Sequence, residues 1–471
     1  MRIQTMFKCN PLLRQDSYKS SHYLAYPPDT SNSYYYLESR GGRYGALPFF
    51  GLQGFLRDHL SGTFCTGDDI NEAAPVLEKH GEPFNAEGWR RIAFDHGGML
   101  PLRIKAVREG TIIPTHQVML TCESTDPVCD WLPSWVETML MRGVWYPTTV
   151  AARSYACKRV IHQYLNETAN APLSELPFKL HDFGARGVSS GESAAIGGAA
   201  HLVNFKGSDT LEGIEWMRHH YGSGADGIPA FSIPALEHST VLAWGRENEI
   251  GAYRNMLAKF AKPGNILACV SDTYDYWNTV ENIWGGELRD EVAASGATIV
   301  IRPDSGHPPE VVLRTVQTIA RKCGSEKNLR GYTVLPSFFR VIQGDGNDTE
   351  DSIEAILAEL KNHGYSASNV AFGMGGGLLQ KLDRDTQRFA YKMSEVTVGG
   401  EVRAVRKEPK TDMGKASKSG RFSLVMRDGK PTTISGDNAP GDMLETVFEN
   451  GEVKRMQTLD EVRALAGKEF T

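Results

Sequence analysis

The feature that most limits the folds open to this chain is a recurring texture. From about residue 178, a short apolar run, a polar or glycine turn and an amphipathic helical stretch repeat about seven times at intervals of about 25–41 residues. Phe178-Lys179-Leu180 precedes His181-Asp182 and a helical stretch over 190–202. Val203-Asn204-Phe205 precedes Gly207-Ser208-Asp209 and a helix from Thr210. Residues 230–233 precede Glu237-His238-Ser239, and residues 266–270 precede Ser271-Asp272. Residues 297–301 lead to Arg302-Pro303-Asp304-Ser305-Gly306, and 338–342 to Gln343-Gly344-Asp345-Gly346. Residues 369–372 lead to Gly373-Met374-Gly375-Gly376-Gly377. Parallel strands joined by helices put all these turns at one end of the sheet, the carboxyl end, where such folds build their sites. Seven successive units predict an irregular or incomplete (β/α) barrel; an open doubly wound sheet is the alternative.

The chain has 471 residues, too many for one ordinary core and suited to two domains. Residues 101–120 alternate apolar and polar side chains around Glu109-Gly110, and alternation returns after about residue 385. These flanks predict a mixed, β-rich domain made from both chain ends, residues 1–145 with 385–471, around a barrel over 146–384. The overall class is α/β with a second, largely β domain. The net charge of −6 argues against a general binder of nucleic acid or anionic membrane. Seven cysteines without a C-x-x-C pair predict free thiols in a reducing, cytoplasmic setting. The amino terminus lacks the apolar core of a signal peptide, and no apolar stretch is long enough to cross a bilayer.

Several turns carry residues suited to chemistry. Gly373–Gly377 follows a strand and precedes a helix, where exposed N–H groups can cradle a phosphate; the alternative is a tight turn with no ligand. It is no dinucleotide fingerprint, because Leu378 stands at the third glycine position, and no Walker lysine is present. Asp209, Asp272, Asp304 and Asp345 are acids just after strands. Singly, each suits a helix N-cap; together they suit Mg²⁺ bound with substrate phosphates. Arg302 is placed to clamp phosphate. His238, beside Glu237, can serve as a general base or as a nucleophile toward phosphate, or can merely satisfy helix-terminal groups. Seven basic residues between Arg403 and Arg421 form either a solvated loop or one that closes over polyphosphate.

These motifs, together with Gln15-Asp16-Ser17-Tyr18-Lys19, His181-Asp182-Phe183-Gly184-Ala185-Arg186-Gly187 and Glu237-His238-Ser239-Thr240, resemble the nicotinamide phosphoribosyltransferase family of type II phosphoribosyltransferases. They stand in the family's order and nearly its spacing, from Asp16 to the carboxyl terminus. The resemblance implies transfer of phosphoribose from phosphoribosyl pyrophosphate to nicotinamide by a homodimer with shared sites. It implies Phe183 and the partner's Tyr18 on the two faces of the pyridine ring, and Asp209 accepting the carboxamide N–H. Arg186 and Arg302 would line the base and phosphate region. Gly344, Gly375 and Gly376 would receive the ribose 5-phosphate, with Arg384 and Lys392 reaching across the dimer, and Asp345 would be a further substrate-binding residue. Asp272 and Asp304 would orient ribose, pyrophosphate and histidine. ATP would phosphorylate His238, with Glu237 orienting the imidazole and Lys407 and Lys415 approaching the ATP phosphates. Mg²⁺ would be held mainly by pyrophosphate.

Two positions depart from the family pattern: Ala390 and Ala185 stand where a serine and a tyrosine are usual. The remaining alternatives are a nicotinate phosphoribosyltransferase, against which Asp209 argues by charge, and a non-catalytic binding protein on the same scaffold. The intact His238, Asp272, Asp304 and glycine turn argue against the latter.

Overall fold

A computed structural model describes residues 9–411 and 416–470. The chain divides into two compact units at Thr149/Val150, Leu382/Asp383 and Ala466/Gly467.

The middle unit is built on six parallel strands. Across the sheet they run Gly207–Ser208, Leu180–Asp182, Val370–Met374, Phe339–Gln343, Thr298–Arg302 and Ile266–Val270. The two outermost strands are joined through the segment around Phe231 to Ala235, which bridges Gly207 on one side and Ala268 on the other, both in parallel sense. Phe231 N–H donates to Lys206 O at 2.8 Å, and Ala268 N–H to Pro234 O at 3.0 Å. The sheet therefore closes on itself as an irregular barrel. The closing segment stays a pair of bridges because Pro229 and Pro234 have no N–H to give a ladder. Inside, Ala268, Val300 and Ile342 pack with Phe183, Ile233 and Ala371, a layer of side chains drawn from neighbouring strands.

One expected strand lies elsewhere. Residues 203–205 continue the turns of the helix Gly191–His201: Phe205 N–H donates to His201 O at 3.2 Å, and the two rings stack 5.3 Å apart. The strand itself is Gly207–Ser208, the residues expected to form the turn. On the outer layer, the helix Pro308–Cys323 starts with proline at its first position and buries Val312, Leu313, Val316 and Ile319 in an i, i+3/i+4 stripe.

The other unit holds a seven-stranded sheet. Its strand Thr30–Ser39 pairs antiparallel with Phe389–Val398 on one side and Val118–Ser124 on the other. Leu102–Ala106, Glu445–Glu449 and Glu452–Val453 extend one edge, and Glu401–Ala404 forms the other. Strands from both chain ends thus share one sheet. The 32-residue helix Glu137–Thr168 contains Pro147 and crosses the unit boundary in sequence. All seven cysteines are free. Among the described residues, no helix is long and apolar enough to cross a membrane.

At the amino-terminal end of the barrel strands, the buried Lys179 donates to the carbonyls of Ser368 and Val370, each at 3.1 Å, and pairs with Glu175. Burial lowers its pKa, with Glu175 opposing. Lys179→Met should strip these carbonyls of their donor and cost on the order of 2–4 kcal/mol. Urea denaturation would measure the loss, and an unchanged midpoint would contradict this bracing.

Candidate active site at the carboxyl ends of the barrel strands

His238 opens the helix His238–Leu242, just after the closing segment. Its Nε2 lies 3.0 Å from Asp272 Oδ1, beyond the end of Ile266–Val270. The second oxygen of Asp272 accepts from Ser305 Oγ at 2.8 Å, so one carboxylate ties three strand-end loops together. Asp272 is 8% exposed and His238 41%, which leaves the imidazole open to a ligand and its orienting partner shielded. The carboxylate that reaches the imidazole is Asp272, not Glu237. Glu237 is the helix N-cap residue with extended backbone, and its side chain turns back to accept from Ser239 Oγ.

Arg302 Nη2 stands 3.7 Å from Asp304 Oδ2. Burial holds the Asp304 carboxyl above its ordinary pKa. Asp272 and Asp345 push in the same direction, while Arg302 and His238 pull it down. These five groups therefore share one electrostatic neighbourhood. A Cβ on Gly344 would sit 3.5 Å from Arg302 Cδ, 3.6 Å from Asp304 Oδ1 and 3.8 Å from Phe183 Cε2, so this backbone lies against all three. Gln343 and Asn347, not singled out by the sequence reading, brace the loop. Gln343 Nε2 donates to Asp345 O and Asn347 Nδ2 to Gln343 O, both at 2.7 Å. Their type is common in loops, and only burial (1% and 3% exposed) marks them.

Phe183 N–H donates to Met374 O at 2.9 Å, and the ring lies so close to Gly373 that a Cβ there would meet Cε2 at 2.0 Å. Asp209 is exposed and accepts from Ser232 Oγ of the closing segment. Gly376–Leu379 forms a single helical turn after Gly375. A Cβ on Gly187 would come within 3.3 Å of Gly376 N, and one on Gly377 within 2.6 Å of Asp348 Oδ1. The glycine turn is therefore enclosed by backbone, and the buried Arg153 anchors it through Gly377 O and Lys381 O. Arg186 is exposed on the turn Ala185–Gly187.

The remaining sequence candidates belong to the other unit. Tyr18 is 54% exposed, its ring 5.4 Å from that of His22. Lys392 sits opposite Tyr36 in the sheet and donates to Tyr391 O at 2.9 Å. Burial lowers its pKa, Glu137 opposes, and Arg40, Lys19 and Lys407 add to the lowering. Arg40 is thus a further cation near Lys392 that the sequence reading missed. Ala390 is buried opposite Glu38. Arg384 is exposed and paired with Asp385 at 2.7 Å. Lys407 and Ser417 exchange hydrogen bonds of 2.8 and 3.0 Å that pin the base of the basic loop. Lys415 lies outside the described residues.

Gly373→Ala should displace the Phe183 ring or the Val370–Met374 strand, costing about 1–3 kcal/mol. Equilibrium unfolding together with ligand binding at the mouth would read this. Wild-type stability and binding would contradict the packing described.

The family profile described as the nicotinate phosphoribosyltransferase (NAPRTase) family matches residues 178–452. That described as the nicotinamide phosphoribosyltransferase N-terminal domain matches residues 10–104. The chain is 52% identical over 468 residues to a nicotinamide phosphoribosyltransferase of Xanthomonas campestris pv. campestris, covering 97% of this chain and 98% of the relative. It is 31% identical over 501 residues to one from Acinetobacter baylyi, covering 97% of each. Among solved structures, the nicotinate-nucleotide pyrophosphorylase of Pyrococcus furiosus superposes with a TM-score of 0.63 at 14% identity, over 100% of this chain and 99% of the other. Human nicotinic acid phosphoribosyltransferase superposes with a TM-score of 0.56 at 16% identity, over 96% and 93%; at these identities the two structures speak for the fold. With profiles matching both its amino-terminal segment and its barrel, and half its residues shared with a relative of the same extent, the chain belongs to the nicotinamide phosphoribosyltransferases within the nicotinate phosphoribosyltransferase family.

Proposed function

We propose that this enzyme transfers the phosphoribosyl group of phosphoribosyl pyrophosphate to nicotinamide, giving nicotinamide mononucleotide and pyrophosphate for NAD salvage. The observation that carries the reading is the cluster of His238, Asp272, Asp304 and Arg302 beside Phe183 and the glycine turn, at one end of one barrel. Phe183 offers an aromatic face for the base. Asp209 offers an acceptor for a carboxamide and repulsion for a carboxylate. Arg302 and Arg186 would meet phosphate oxygens, and the backbone of Gly344, Gly375 and Gly376 would hold the 5-phosphate. As the C–O bond to pyrophosphate breaks, positive charge builds on the ribose, and the carboxylate of Asp304 would stabilise it. The carboxylates of Asp304 and Asp345 are hard oxygen donors of the kind Mg²⁺ takes together with substrate phosphates. Held mainly by pyrophosphate, Mg²⁺ would neutralise the leaving group.

ATP coupling would run through His238. With Nε2–H donating to Asp272, the Nδ1 lone pair is free to take the γ-phosphoryl group as ADP leaves. Water later removes the phosphoryl group as phosphate. Lys407 and Lys415 would approach the nucleotide phosphates from the basic loop. Arg384, Lys392 and Tyr18 would act across a cytoplasmic homodimer, Tyr18 covering the second face of the base.

Purified protein with Mg²⁺, nicotinamide and phosphoribosyl pyrophosphate should release nicotinamide mononucleotide, faster with ATP. His238→Ala should abolish the ATP enhancement more than basal turnover; full stimulation in that variant would exclude the phosphohistidine. Asp209→Asn should shrink the preference for nicotinamide over nicotinate about tenfold, and unchanged selectivity would remove this role for Asp209.

A further inference from the structure

Asp182 closes the strand Leu180–Asp182 and is fully buried. Its Oδ1 accepts the N–H of Gly184 at 2.7 Å, and its backbone carbonyl accepts the N–H of Asp209 at 2.9 Å. Phe183 is therefore held from both sides, by its own bond to Met374 O and by the anchored Gly184 that follows. Gly184 has no room for a side chain: a Cβ would lie 2.6 Å from Leu379 Cγ and 3.0 Å from Asp182 Oδ1. The other carboxylate oxygen, Oδ2, is buried without a hydrogen bond.

We infer that Asp182 is a positioning and specificity-determining residue for base binding: its carboxylate holds the Gly184 backbone that follows Phe183 and sets a second negative charge behind Asp209. The inference rests on the reading that Phe183 and Asp209 meet the base. A residue that served packing alone would do better without its charge. Burial pushes the Asp182 carboxyl up to about 6, and Asp209 adds repulsion, against the Gly184 N–H that favours the anion. A carboxyl whose folded pKa lies above its unfolded value favours folding at low pH. That contribution is lost as pH rises through about 6, so at pH 8 the ionised group weakens the fold. Groups kept at such a cost cluster where function needs them.

The test compares Asp182→Asn, which keeps shape and the acceptor for Gly184 but removes charge, with Asp182→Ala, which removes both. Asp182→Asn should melt at a higher temperature than wild type at pH 8. Its kcat/KM ratio for nicotinamide over nicotinate should fall by roughly fivefold or more, with KM for phosphoribosyl pyrophosphate within about twofold. Asp182→Ala should add a rise in nicotinamide KM. Should Asp182→Ala fail to fold, Asp182→Asn alone decides the matter. An unchanged base ratio in folded Asp182→Asn overturns the inference. So does a lower melting temperature at pH 8 with both bases slowed alike, which marks a structural residue only. A wild-type enzyme that prefers nicotinate overturns the underlying reading and this inference with it, whereas a normal wild type with an insensitive Asp182→Asn overturns this inference alone.

Discussion

The barrel mouth depends on the closure of a parallel sheet by a segment that cannot be a full strand. Phe231 and Ala235 bridge the two outer strands, and the prolines between and beside them keep the segment from extending its ladder. Closure brings Ser232 to Asp209 and sets His238 where Asp272 reaches it. An open sheet would leave Gly207–Ser208 and Ile266–Val270 at opposite edges, with their loops apart. Short strands suffice because side chains from neighbouring strands, Ala268, Val300, Ile342 and Ala371, pack together inside with Ile233 and Phe183.

The mouth is acidic in its fixed groups and yet suits anionic substrates. Of its acids, Asp304 shares its neighbourhood with Asp272 and Asp345, and the groups that oppose them there are Arg302 and His238. Two like charges about 4 Å apart at an effective dielectric near 20 repel by about 4 kcal/mol. Burial first, and such repulsion second, hold the carboxyls of Asp304 and Asp182 above their ordinary pKa. Mg²⁺ carried in with pyrophosphate would relieve the repulsion. On the proposed function, the acidity would select a neutral base without excluding a metal-bound polyphosphate, so the net charge of the chain says little about its ligands.

Most of this was legible in sequence for a physical reason. A parallel strand must end in a turn on the same side as its neighbours, so the order of strand, polar turn and helix already placed His238, Asp272, Asp304, Gly344 and the glycine turn at one end. The pattern failed at residues 203–205. An apolar triplet there was indistinguishable from a strand, but helix-type bonds to His201 captured it. It also failed for partners of side chains. Glu237 is next to His238 in sequence, yet Asp272 is its neighbour in space, because adjacency along a helix start does not point side chains at each other. Gln343 and Asp182 stood inside the quoted motifs without a role, and Asn347 and Arg40 gave no sign, since burial and bonding, not residue type, distinguish them. The family resemblance named Phe183 and Asp209 as base contacts, and the fold adds that both are tied to Asp182.

The central claim is that this mouth receives an uncharged pyridine carboxamide and joins it to phosphoribose. Labelled nicotinamide and labelled nicotinate, competing in one vessel with Mg²⁺, ATP and phosphoribosyl pyrophosphate, test it most directly. The account predicts that nicotinamide mononucleotide accumulates in large excess. Predominant formation of nicotinate mononucleotide, or no mononucleotide from either base, would contradict it.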